Sequence, residues 1–230
     1  MKFPGIRRLH ALATQNSIWG PIEDELKMAS ALGLLRGRIL NSGAGSRDVS
    51  GFVEGELINQ DIEWHNESRT HIQIYSSAES VPVLGGSFDT VLSIAVLEHV
   101  AEPILVTREY FRVLKPGGHV VASVPFLQPE HKVPTDYQRW TRDGLHKLFT
   151  DQGFEVVSLL PLFTVFHTIH WILYETIALT PSIISKLLRY LILLPLVLLS
   201  RKCDVKSDVL ASAFQIIAKK PNHAVKGESR

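Results

Sequence analysis

The run Arg38-Ile39-Leu40-Asn41-Ser42 breaks into Gly43-Ala44-Gly45, and a second apolar run closes on Asn59-Gln60-Asp61, about 16 residues further on. Glycines directly after a strand permit a sharp turn and let the main chain lie against a ligand with no Cβ between them. A carboxylate at the end of the neighbouring strand can accept both hydroxyls of an adenosine ribose. Each signal alone has a plainer reading: Gly-x-Gly marks ordinary strand-to-helix turns, and an acid ends many strands. At this spacing the two together outline a nucleotide-type site.

A second group lies in VPFLQPEHKVPTDYQRWT, residues 124–141. Its three prolines forbid a continuing strand or helix, so the stretch must be a loop, and it carries Gln128, His131, Asp136, Tyr137 and Arg139. The imidazole of His131 titrates near neutral pH and suits a general base. Asp136 would orient that imidazole or hold a substrate, and Arg139 has the fork that grips a carboxylate or phosphate. Gln128 and Tyr137 are further substrate contacts. Against this stands a loop stapled by an Asp136–Arg139 pair, with Tyr137 and Trp140 packed beneath it. His99, His131 and Asp136 lack tight ligand spacing, so no metal is expected.

The elements that must hold these groups read as an alternation. GPIEDELKMASALGLLRG predicts a helix with Pro21 in its first turn, Ile22, Leu26, Ala29 and Leu32 on one face, and Gly37 as its stop. Strands are predicted at 38–42, 56–62, 71–77, 88–95 and 119–125. A helix over EPILVTREYFRVLKPGG, ended by Lys115-Pro116-Gly117-Gly118, separates the last two. A helix over 141–153 and a strand from Phe154 follow. Strands joined by helical crossovers form a parallel sheet covered on both faces, with ligands at the carboxyl ends of its strands.

At 230 residues the chain is long enough for one substantial core. Its formal net charge of +1 supplies no field for a nucleic-acid backbone, so no nucleic-acid partner is expected. The single cysteine, Cys203, cannot close an internal disulfide. LHALATQNSIWG, after Lys2, Arg7 and Arg8, lacks the apolar core of a secretory signal, which leads us to expect cytoplasmic folding.

Two further segments, GGSFDTVLSIAVLEHVAEP and EYFRVLKPGGHVVASVPF, resemble class I S-adenosylmethionine-dependent methyltransferases of the type 11 group. The resemblance covers roughly residues 38–160. It implies a Rossmann-like α/β fold with a seven-stranded, mostly parallel sheet, and S-adenosyl-L-methionine as cofactor. The cofactor positions it implies are Asn41, Gly43, Ala44 and Gly45 for the methionine part, Asp61 and Ile62 for the ribose, and Ser77, Ala78 and Glu79 for the adenine. Ser93 and Ala95 fall beside the methyl donor, and His99 falls where it would touch substrate or cofactor, or cap the next helix. Asn41 stands where the family commonly has an acid, Arg47 where a third glycine is frequent, and Ser77 where an acid meets the adenine amine.

Residues 159–200 depart from the compact pattern, with Glu175, Lys186 and Arg189 as their only charges. Pro181 divides the stretch into two helical candidates. His167, His170 and Tyr174 lie along one face of the first; Ile183, Ile184, Leu187, Leu188 and Leu191 face one way on the second. The segment reads as an interfacial membrane contact, a soluble lid or dimer face, or a tight membrane hairpin. The strand Ala211–Ala218 then returns antiparallel between the fifth and sixth strands, as the resemblance implies.

The expected organisation is therefore a core over 1–160 with an N-terminal helix, an apolar helical insertion over 161–202, a final strand within 203–220 and a flexible tail over 221–230. The expected activity is methyl transfer to a small-molecule, saccharide or lipid-linked acceptor, on oxygen, in the cytoplasm or at the inner face of a membrane. A homodimer and peripheral membrane contact through 161–200 remain open. The alternative is a non-catalytic membrane-associated or scaffolding module on a degenerate methyltransferase fold.

Overall fold

A computed structural model describes residues 20–62, 71–132, 135–180 and 182–222. The tail from His223 onward, the residues before Gly20, residues 63–70, 133–134 and 181, and the side chains of Pro21, Ser182, Lys186, Ser200 and Arg201 lie outside that description. The elements are α1 (Gly20–Ala31), β1 (Arg36–Ser42), β2 (Glu54–Asp61), β3 (Ile74–Tyr75), β4 (Phe88–Ile94), α2 (Pro103–Val113) and β5 (Leu114–Pro125). They continue with α3 (Arg142–Thr150), β6 (Glu155–Leu162), α4 (Val165–Ala178), α5 (Ser182–Leu188), a π-turn (Arg189–Leu193), α6 (Leu194–Lys202) and β7 (Ala213–Lys219).

Seven strands form one sheet in the order β3-β2-β1-β4-β5-β7-β6. β1 runs parallel to β2 and β4, β2 to β3, and β4 to β5. Along β5 and β7 the partners descend as the chain ascends. Gly117 and Gly118 bond to Lys220, and Phe126 bonds to Ser212, which makes β7 antiparallel to β5. This is the doubly wound, Rossmann-like sheet expected, with its reversed last strand. Ile39, Leu40, Phe88, Val91, Leu92, Val120, Phe214 and Ile216 are sealed from water, as strands covered on both faces require.

Three boundaries differ from those expected. α1 ends at Ala31, and the chain turns through Gly33 with Leu32 exposed, while Gly37 sits inside β1. Lys115-Pro116-Gly117-Gly118 does not terminate a helix in open loop. α2 passes at Leu114 straight into β5, whose pairing with β4 skips the four residues, going from Leu114 opposite Phe88 to His119 opposite Thr90, while Gly117 and Gly118 bond to Lys220. β3 shrinks to Ile74–Tyr75, because only Gln60 and Asp61 of β2 offer it partners.

The chain divides into two compact units. The larger takes Glu25–Pro125, Lys132–Leu160 and Phe214–Arg230 and contains most of the sheet. The smaller takes Met1–Asp24, Phe126–His131 and Pro161–Ala213 and contains α4, α5 and α6. In the smaller unit Ile22 packs on a cluster of Leu162, Phe163 and Ala213, and α4 packs along α6.

Candidate active site

The two glycines after β1 serve different neighbours. Gly43 has φ +63°, and a Cβ there would stand 2.5 Å from Cγ2 of Val96, so this position is closed by the protein itself. Gly45 has φ +57°, and a Cβ there would meet nothing within 4 Å, so its α-carbon borders open space. Both are left-handed positions, which L side chains adopt at a cost. The turn is pinned to the end of β2: Ala44 N donates to Gln60 O at 3.0 Å, and Gly45 N to Asp61 Oδ2 at 2.7 Å. The other oxygen of Asp61 accepts from Ile62 N at 2.7 Å. A carboxylate has about four acceptor sites, so Asp61 can hold the turn and still accept from a diol. Ile62 is exposed beside it.

Beneath the turn runs a chain of buried polar groups. Ser93 Oγ lies 3.0 Å from the hydroxyl of Tyr110, which donates to Ser42 Oγ at 3.2 Å. Ser42 donates to Gln60 Oε1 at 2.7 Å, and Gln60 Nε2 donates to the carbonyl of Ser76. The strand ends of β1, β2 and β4 are thereby tied to α2. Burial, partly offset by the hydrogen bonds of Ser42 and Ser93, pushes the Tyr110 phenol up to about 12, so it stays neutral and can both give and take a proton bond. Asn41 Nδ2 donates to Asn59 Oδ1 at 2.8 Å, which leaves Asn41 Oδ1 as the acceptor at the carboxyl end of β1. Ser77 Oγ accepts from Glu79 N at 3.3 Å, with Ala78 buried between them. The β4 end is strained, since Ala95 sits at φ +55° with its N–H bonded to Ser123 O.

Residues 135–140 of the larger unit are strapped to the short turn Leu97–His99. Tyr137 N donates to Glu98 O, Gln138 Nε2 to the carbonyls of Leu97 and Val100, and a His99 ring nitrogen bonds Thr135 O. His99 thus pins the strap rather than capping α2, whose N-cap is Glu102. Asp136 is buried, and both of its oxygens accept from Arg139, whose fork is taken up in this pair. Trp140 is buried, whereas Tyr137 is exposed instead of packed.

In the smaller unit His131 Nδ1 lies 3.2 Å from Pro129 O, and its ring lies 5.7 Å from that of Trp171. Gln128 Nε2 donates to Ser212 Oγ. His167 closes a capping box with Thr164 at the start of α4. His170 is buried beside Tyr174, its Nε2 has no partner among the described residues, and burial holds its pKa below the ordinary histidine value.

Residues 53–122 match the model of a family described as a methyltransferase domain. The structure aligns with a phosphoethanolamine N-methyltransferase of Haemonchus contortus in complex with S-adenosyl-L-methionine, at a TM-score of 0.57 and 15% identity over 93% of this chain and 56% of that one. Over residues 53–122 the chain is similar to methyltransferase domains, and its fold is the one that such structures share. The ubiquinone biosynthesis O-methyltransferase of Roseobacter denitrificans is 35% identical to this chain over 78 residues, 32% of each chain. The fold also matches the 4+2 cyclase SpnF, with a TM-score of 0.58 and 17% identity over 90% of this chain and 84% of that one. The chain spans less than half the length of the curated relatives it matches.

Sequence reasoning assigned no role to Tyr110 or Gln60 beside the turn after β1. Val106, Tyr110 and Val113 share the helical spacing of a buried face, so burial of Tyr110 was readable. Its hydroxyl partners lie on other segments and were not.

Proposed function

We propose that this chain is an S-adenosylmethionine-dependent methyltransferase acting on an oxygen of a small-molecule, saccharide or lipid-linked acceptor. The observation that carries the reading is the open flank of Gly45 beside the Asp61 carboxylate, at the carboxyl ends of β1 and β2. An adenosyl amino acid fits these groups: Asp61 for the ribose hydroxyls, Asn41 Oδ1 for the ammonium, and the stretch Ser77–Glu79 for the adenine. The bound cofactor would supply a methyl group already activated on a sulfonium. The chain's own residues then have to align the acceptor, exclude water and take a proton from a hydroxyl.

His131 is the proposed base. Its Nδ1 lies 3.2 Å from Pro129 O, and an imidazole is the side chain suited to take a proton from a hydroxyl near neutral pH. The Asp136–Arg139 pair fixes the strap that carries Tyr137, and Gln128, Tyr137 and His99 are proposed acceptor contacts. The O-methyltransferase named among the relatives supports oxygen as the methylated atom.

Calorimetry with S-adenosylhomocysteine tests the reading. Binding by the unmutated chain and a loss of roughly ten- to hundred-fold for Asp61→Ala are expected, the scale of a hydrogen bond to a charged group. An unmutated, folded chain that does not bind would end the proposal. The His131 role requires a kcat loss of about 10²–10⁴ in His131→Gln with cofactor affinity unchanged.

A further inference from the structure

We propose that the outward face of α5, continued through the π-turn into α6, docks on the surface of an anionic lipid bilayer. The inference stands on the smaller unit alone and does not depend on the methyltransferase reading. Leu179 is 88% exposed, Ile183 83%, Leu191 63% and Leu187 60%, with Ile184, Tyr190, Leu198 and Leu199 also open to solvent. The spacing of Ile183, Ile184, Leu187 and Leu191 sets them along one side of the helical run. Inward, Leu193 and Val197 are buried, so the helices already have a packed side and this is the other one. An apolar face of this extent calls for a partner.

Charge decides which partner. Residues 176–203 contain Lys186, Arg189, Arg201 and Lys202 and no acid. A second copy docked through the same face would set Arg189 and Lys202 against their own counterparts. An anionic headgroup layer instead receives them, with the aliphatic side chains in the acyl boundary and Tyr190 at headgroup level. The guanidinium of Arg189 lies over the ring of Tyr174 at 4.7 Å, at the edge of the patch where a basic group would meet phosphates. No helix among the described residues is long and apolar enough to cross a membrane, in keeping with docking at the interface.

Flotation of the full chain is measured with phosphatidylcholine vesicles with and without phosphatidylglycerol. The chain should float with the anionic vesicles, less so in high salt, and remain below with phosphatidylcholine alone. Leu187→Gln combined with Leu191→Gln should weaken partition by about a hundred-fold, as expected when two large aliphatic side chains lose their burial. Both positions are exposed, so the melting temperature should hold. Leu84→Gln, exposed in the larger unit, should float like the unmutated chain. The proposal is overturned by absence of flotation, by equal flotation with both vesicle types, or by a double variant that floats unchanged. It is equally overturned if light scattering shows a dimer that the double variant splits while neither protein floats.

Discussion

Substituting alanine at Gly43 and at Gly45 separates two reasons for a glycine that look alike in the sequence. Both residues are left-handed, which costs an L side chain about 1–2 kcal/mol, while removing a glycine restricts the unfolded chain and returns about 0.4–1 kcal/mol. At Gly45 nothing else is added, because the new methyl group enters open space. A net destabilisation of roughly 0–1.6 kcal/mol follows, a fall of at most about 6 °C for a chain of this size. At Gly43 the methyl group stands 2.5 Å from Val96 Cγ2 and 3.1 Å from Cγ1. Overpacking of this kind adds about 1–3 kcal/mol, for a total of roughly 1–4.6 kcal/mol and a fall of roughly 2–18 °C.

Urea denaturation and calorimetry with S-adenosylhomocysteine are run on Gly43→Ala, Gly45→Ala and the double variant Gly43→Ala with Val96→Ala. Trimming Val96 should recover about 1–3 kcal/mol as a coupling energy in the double-mutant cycle. Gly45→Ala should keep its fold and lose cofactor affinity, since its methyl group occupies the space proposed for the ligand. Equal stability losses at the two positions, or no coupling between Gly43 and Val96, would refute this account of the turn.

Further outcomes can be stated from single contacts. Asn41→Asp should tighten S-adenosylhomocysteine by up to about ten-fold, because a charge-assisted bond to an ammonium is roughly twice a neutral one, less the cost at Asn59, whose Nδ2 must leave His71 O to face the new carboxylate; weaker binding would place the ammonium elsewhere. His170 is held neutral in the fold by burial, so below about pH 6.5 the unfolded chain takes up the proton first, and stability falls until the folded pKa is passed, by at most about 1.4 kcal/mol per pH unit. His170→Gln should flatten the acid limb of a urea-midpoint profile, leaving the part due to His119, which is depressed by burial and by Lys219. Lys220 Nζ donates to the carbonyls of Phe111 at 2.6 Å and Leu114 at 2.7 Å, so Lys220→Met should cost about 1–3 kcal/mol by thermal melting.

The parts legible in the sequence are those in which neighbours along the chain carry the signal. Ile39-Leu40 and Val91-Leu92 announce strands buried on both faces, and Gly43 and Gly45 announce the turn that follows β1. The illegible parts are settled by pairing across the sheet. Lys115-Pro116-Gly117-Gly118 has the composition of a terminator, yet backbone bonds to Lys220 hold it in β5. The hydrophobic insertion was visible as a composition, but its π-turn and outward side depend on α4 packing against α6, which no local pattern states.

The same distinction explains Ala95, a non-glycine residue at φ +55° where β4 ends. β1 and β4 are neighbours in the sheet, with Ser42 opposite Ser93, so the turns leaving them are built side by side. For Val96 to fill the hollow over Gly43, the chain must swing sharply at Ala95, and the bond from Ala95 N to Ser123 O holds it there. Ala95→Gly removes about 1–2 kcal/mol of left-handed strain and loosens the unfolded chain by about 0.4–1 kcal/mol, so stability in urea should be unchanged or rise by up to about 1.6 kcal/mol. Alanine-to-glycine changes elsewhere in strands or helices lower stability by roughly 0.5–1 kcal/mol. A loss of that size here would mean that Ala95 is not strained, and that Val96 reaches Gly43 by another route.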